Sequence, residues 1–141
     1  MRIYEGELVE GGAGTPDAAW KRYSYIKIGT EQLNNICINL DLDKVLQSQI
    51  DKGVVKLWVA RYMFRNIIIG ITQANGQTYR QNLNKIYGQQ ICLWGFFIIM
   101  CMFAPFGKGA YLLFGIIFLL FSLPSFSYIS KVRKIKTDHT Y

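Results

Sequence analysis

The chain has 141 residues and a mass of 16.2 kDa, which leaves room for one small domain and a short addition but not for two ordinary globular domains. Its formal charge is +7 and its pI near 9.4, yet charge and hydropathy are unevenly spread: residues 1–90 are charged throughout, whereas the stretch from Ile91 to Ile129 holds Lys108 as its only charge. That division implies two different solvents and disfavours a soluble core wrapped by the first ninety residues. Cys37, Cys92 and Cys101 form no CxxC or Cys/His pattern, which excludes a sequence-local zinc site and an oxidised disulfide scaffold.

The opening "MRIYEGELVEGG" places acids where a secretory signal needs an apolar run, so the first part of the chain is expected to stay in the cytoplasm. "RIYEGELVE" reads as a first strand weakened at Gly6, and "GGAGTPDAA" as a flexible loop. In "WKRYSYIKIG", Trp20, Arg22, Ser24, Ile26 and Ile28 alternate with Lys21, Tyr23, Tyr25 and Lys27. "NNICINL" sets Ile36, Ile38 and Leu40 against Asn35, Cys37 and Asn39. Both have the period of a half-buried strand.

The period then changes. In "DLDKVLQSQIDKG" the apolar Leu42, Val45, Leu46 and Ile50 recur at helical spacing, with Asp41 or Asp43 as the cap and Gly53 as a left-handed stop. "VVKLWVARYMF" and "NIIIGITQ" are further strands, and Asn75-Gly76 marks a tight hairpin turn before a short sixth strand. The expected fold for residues 1–86 is a small mainly-β domain, an OB-like or SH3-like barrel of five to six strands plus one short helix.

The strand order over about residues 2–80, with a glycine in the first strand and a helix between the third and fourth, resembles that of an OB-fold. The pairing of a small OB-like domain with a membrane segment is similar to bacterial membrane proteins of the NfeD type. Those place the membrane part first, and the order here is reversed, so the likeness implies no function.

Residues 87–130 read as a transmembrane helical hairpin. A bilayer core needs about 20 helical residues, and this stretch is about twice that, broken by "APFGKGA" with Pro105, Gly107, Lys108 and Gly109. The expected spans are about 89–106 and 110–129. Tyr87, Trp94 and Tyr111 serve as interfacial rings, and Pro124 kinks or ends the second helix. Gly95 and Gly115 offer places for close helix packing, and Ser122 an interhelical hydrogen bond. Residues 131–141 form a basic tail whose Lys131, Arg133, Lys134 and Lys136 are candidate lipid headgroup contacts. By the positive-inside rule both termini are cytoplasmic, which makes the expected location the bacterial inner (cytoplasmic) membrane, multi-pass.

Catalytic chemistry is not visible in the pattern. Histidine occurs only as His139, in a tail expected to be disordered, so no positioned nucleophile-base pair stands out. Asp41 and Asp43 are a paired carboxylate better explained as a helix cap, and "EGGAGT" is not a phosphate-binding loop. No cofactor or metal is expected. One constellation is left: Trp20, Arg22, Tyr23 and Tyr25 on the second strand, with Arg61, Tyr62, Phe64 and Arg65 at the turn between the next pair, form a candidate ligand or partner face. These features favour a non-enzymatic membrane protein whose β-domain binds or regulates a protein partner. An immunity or exclusion protein acting on a toxin or phage step, and a homo-oligomeric pore-forming hairpin, are the alternatives. Nucleic acid is the lesser candidate for the aromatic and basic face, since the same cations suit anionic headgroups.

Overall fold

A computed structural model describes residues 1–17, 19–62, 64–103 and 110–140. The chain divides into two compact units, Met1–Asn82 with Lys131–Tyr141, and Leu83–Ser130. The first holds β1 (Arg2–Gly11), β2 (Gly14–Asp17), β3 (Trp20–Ile28), β4 (Glu31–Asn39), α1 (Leu40–Gln47), β5 (Val54–Tyr62), β6 (Arg65–Thr72), β7 (Thr78–Arg80) and β8 (His139–Thr140). Two long helices, α2 (Asn84–Phe103) and α3 (Ala110–Arg133), account for most of the second.

The β-unit is a small barrel. β1 is shared between two partners: Arg2 to Glu7 pair antiparallel with β5, and Leu8 to Gly11 pair with β3, with a bulge between Leu8 and Glu10. β4 pairs antiparallel with β3 and parallel with β6, and β6 runs antiparallel to β5. The circuit β1, β3, β4, β6, β5 therefore returns to β1, leaving β2 on β3 and β7 on β6. Inside lie Leu8, Ile26, Ile28, Ile36, Ile38, Val55, Leu57, Ile68 and Ile71, joined by Leu42, Val45 and Leu46 from α1.

Gly6 has a reason in this geometry. A Cβ there would stand 3.0 Å from the backbone nitrogen of Gly29 and 3.1 Å from its Cα. Gly29 itself has φ +54° and donates its N–H to the Glu7 carbonyl at 2.7 Å. The turn between β3 and β4 thus lies directly on β1 where that strand changes partners.

Several expectations need correction. The "GGAGTPDAA" loop contains β2, a strand that the Gly and Pro content conceals. The strict alternation in the second strand fails, since Tyr23 and Ile26 are both buried. Across from them Ile36 and Leu33 are buried too, so both strands change phase at the same place, where Asn35 takes φ 55°. Asn39, not either aspartate, caps α1 by accepting the Asp41 N–H at 2.9 Å. α1 also ends earlier than the pattern suggests, which leaves Ile50 outside it and exposed, while Gly53 takes its positive φ in the connection that follows. The tail is not a disordered extension either. Ile135 is buried, and β8 pairs parallel with β7, placing Tyr79 against His139 and Arg80 against Thr140. Asp138 accepts the Thr78 N–H at 3.0 Å and returns its own N–H to the Thr78 carbonyl, and the His139 ring stacks on Tyr79.

In the second unit both helices are long and apolar enough to cross a membrane, over Ile86–Phe103 and Leu113–Arg133. Large apolar side chains are exposed along both, Ile91, Met102, Leu113 and Phe121 among them, a surface consistent with contact with hydrocarbon. The helices pack antiparallel through aromatic rings: Phe96 stacks on Phe118 at 5.5 Å, Trp94 meets Phe126 edge-on, and Phe103 tilts against Tyr111. Trp94 therefore stands midway along α2 within this packing and not at its end. Gly115 is a point of close approach, with a Cβ there 3.3 Å from the Phe97 ring, whereas nothing lies within 4 Å of one at Gly95. The Ser122 hydroxyl bonds back to the Leu119 carbonyl of its own helix, and the tie between helices is made instead by the Ser122 carbonyl, which accepts from Gln90 Nε2. Helix α3 continues through Pro124 to Arg133. A proline removes only one backbone donor, a loss tolerated in long apolar helices. The turn at Pro105, Gly107, Lys108 and Gly109 lies outside the described residues.

A test follows from the contact at Gly6. Gly6→Ala should lower the stability of the β-unit by about 1–3 kcal/mol, while Gly88→Ala, with open space around its Cβ, should cause no loss. Denaturant unfolding of the full chain in micelles, followed by tryptophan fluorescence, checks this, and equal midpoints for the two variants would contradict the close approach.

Candidate binding groove

Strand register assembles a groove on the β-unit. Thr15 on β2 faces Arg22 on β3, Arg22 faces Cys37 on β4, and Cys37 faces Ile67 on β6. One residue row thus crosses four strands. A second row sets Asp17 against Trp20, and at the far side Tyr62 and Arg65 close the β5 to β6 turn. These residues line a cavity of about 440 Å³.

The floor is Cys37, 4% exposed, with Ile67 beside it. Trp20 and Tyr62 are half-buried, while Arg22 and Arg65 are exposed. The Arg22 Nε donates to Asn35 Oδ1 at 2.7 Å, which orients the guanidinium across the strand surface. No ion pair engages Arg22 or Arg65 among the described residues. Such a site offers two flat rings for stacking and two planar cations able to hold a carboxylate or phosphate through paired N–H bonds.

Of the eight residues expected on this face, Trp20, Arg22, Tyr62 and Arg65 come together here. Tyr23 points into the barrel, 5% exposed. Tyr25 reaches Glu10 at 3.4 Å outside the groove, and Phe64 stands at the β5 to β6 turn, 91% exposed with φ 66°. Arg61 lines a different cavity, together with Lys131. Arg133, Lys134 and Lys136 are exposed. Thr15, Asp17, Cys37 and Ile67 enter the groove only through register. The alternation of Cys37 with Ile36 and Ile38 was the one available hint, since it set the thiol on the face opposite those isoleucines.

The aspartate pair divides into two roles. Asp41 forms an exposed ion pair with Lys44 at 3.7 Å. Asp43 is buried and accepts three side chains: Tyr23 Oη at 2.5 Å, Gln47 Nε2 at 2.9 Å and Lys21 Nζ at 3.0 Å. This network fastens α1 to β3. Hydrogen bonding to Tyr23, and then the Asp43 carboxylate, raises the Lys21 pKa against an opposing desolvation. Burial, followed by the Asp43 hydrogen bond, raises that of Tyr23.

Among the described residues no cluster of His, Cys, Asp or Glu is arranged to hold a metal ion. Comparison of the chain with family models, with curated proteins and with solved structures returns no match.

The sign of the pH response follows from the two raised values. The folded state holds both protons more tightly than the unfolded chain, so this stability is fully present below pH 10.0 and is lost as pH rises through the folded values. Tyr23→Phe should cost about 1–3 kcal/mol at neutral pH, because a buried carboxylate loses a donor, and should flatten the alkaline decline. Melting curves of both proteins between pH 7 and pH 11 check this, and parallel declines would rule out the assignment.

Proposed function

We propose that the protein is a membrane-tethered, non-enzymatic binding module, in which an OB-type barrel carried by a two-span hairpin docks a protein partner in the groove formed by Trp20, Arg22, Tyr62 and Arg65. Support for the OB type comes from the circuit β1, β3, β4, β6, β5, from the parallel β4 and β6 pair, and from the position of α1 between β4 and β5. The observation that carries the functional reading is the groove, which gathers stacking rings and cations over a buried thiol. Asp17 on its rim favours a peptide over a nucleic acid. A carboxylate repels a phosphate backbone laid along the groove, whereas a partner segment of mixed charge can satisfy Asp17 and both arginines. The location proposed is a bacterial inner membrane with both termini cytoplasmic, supported by the cations that follow α3.

Two experiments test this. A photoreactive amino acid at position 62 of the membrane-embedded protein should yield one discrete protein adduct in cells, reduced about tenfold or more by Arg22→Glu with Arg65→Glu, as expected when charge-assisted bonds are reversed. A smear of adducts, or one indifferent to the arginines, would count against a partner site. Topology is read separately, by placing single cysteines at Gly12, Lys108 and Thr137 in a cysteine-free background. An impermeant reagent applied to intact cells should label position 108 alone, and labelling at position 12 would put the β-unit on the opposite side.

A further inference from the structure

We propose that the β-unit carries a second ligand site, separate from the groove, that binds a phosphate group, and that the headgroup of an anionic phospholipid supplies it. The site is a cavity of about 440 Å³ where Arg2, Arg61 and Lys131 converge. Arg2 at the start of β1 faces Val59 on β5, and Arg61 lies two residues further along that strand, so the arginines are diagonal neighbours on one sheet face. Lys131 comes from the end of α3.

What these cations lack is informative. None of the three makes a side-chain hydrogen bond or ion pair among the described residues, whose ion pairs all lie elsewhere. The lining contains no Asp or Glu among those residues. Three like charges that share one concavity raise its potential and favour an anion. The rest of the wall suits a phosphate. Asn66 faces Arg61 across the strands, and the Asn34 amide oxygen is occupied by Gln32 Nε2 at 2.9 Å, so its NH₂ end is what it can offer. Leu33, Ile36 and Val59 of the core close the floor. Two guanidinium forks and an ammonium match the three acceptor oxygens of a phosphate.

The choice of a lipid as the source rests on reading the helices as membrane spans. Lys131 lies within the last turn of α3, whose apolar stretch is long enough to cross a bilayer, and cations at that position meet headgroups. The existence of the site does not depend on that reading.

The test uses the full chain in neutral maltoside micelles and native mass spectrometry with phosphatidic acid, phosphatidylcholine or inorganic phosphate added. The expected result is one phosphatidic acid retained per chain in preference to phosphatidylcholine. Arg61→Gln or Lys131→Gln should weaken retention about tenfold, the loss of one charge-assisted bond. Arg61→Lys should recover part of it, and Lys27→Gln with Lys52→Gln, exposed lysines outside both cavities, should leave it unchanged. If Arg61→Gln alters the circular dichroism spectrum, the exposed Arg2→Gln provides the same reading. Equal loss from the Lys27 and Lys52 variants, or no preference for the anionic lipid, would overturn the site. Retention of inorganic phosphate that displaces the lipid, with the same dependence on Arg61 and Lys131, would overturn the lipid source and assign the site to a soluble phosphate.

Discussion

Everything on the β-unit depends on three parallel residue pairs, Ile36 with Asn66, Cys37 with Ile67 and Ile38 with Ile68. Without them β3 and β4 would form one ribbon and β5 and β6 another, joined only through β1. With them the sheet closes, Ile36, Ile38 and Ile68 face a common interior, and open edges remain only on short outer strands. The same pairs place Cys37 beside Ile67 and so lay the floor of the aromatic groove. Closure and site are a single event in this fold, because a parallel pair needs a crossover and α1 with β5 provides it.

A closed barrel of this size leaves its concavities at strand ends and across residue rows, and the two found here differ in charge design. The groove mixes cations with an aspartate and exposes rings. The second cavity holds cations only and has an apolar floor. A mixed site discriminates among partners by pattern, whereas a purely cationic one responds first to the sign of the ligand. The buried Asp43 network has a different character again, since its three donors all come from the chain itself.

Much of the architecture was legible in the sequence where residues act through local period or composition. The apolar stretch, the Asn75-Gly76 turn, the strands around Ile36 and Ile68 and the helix through Leu42 and Val45 all carry their signal within a few residues. What escaped depends on distant partners. β2 contains Pro16 and two small residues and forms because β3 offers it an edge. β8 is two residues long and exists only through its pairing with β7. Tyr23 and Ile26 share the interior because Asn35, across the ribbon, adopts a left-handed backbone that no alternation rule anticipates. For the groove, Trp20, Arg22, Tyr62 and Arg65 were identifiable as aromatic and basic residues near one strand and one turn. Arg61, one position from Tyr62, belongs to another cavity because neighbouring residues on a strand face opposite ways.

The pairing of β7 with β8 has a consequence for biosynthesis. β7 is translated before the two apolar helices and β8 after them, so the sheet edge cannot be completed until residues 83–130 have left the ribosome. The core barrel can close early, since its five strands end at Thr72. The final clasp of Asp138 on Thr78 and His139 on Tyr79 can form only on a chain translated through both helices. The clasp thus distinguishes a chain translated through both helices from one that stops before their end, and a chain released after the first helix would present β7 as a bare edge to whatever surveys unfinished proteins.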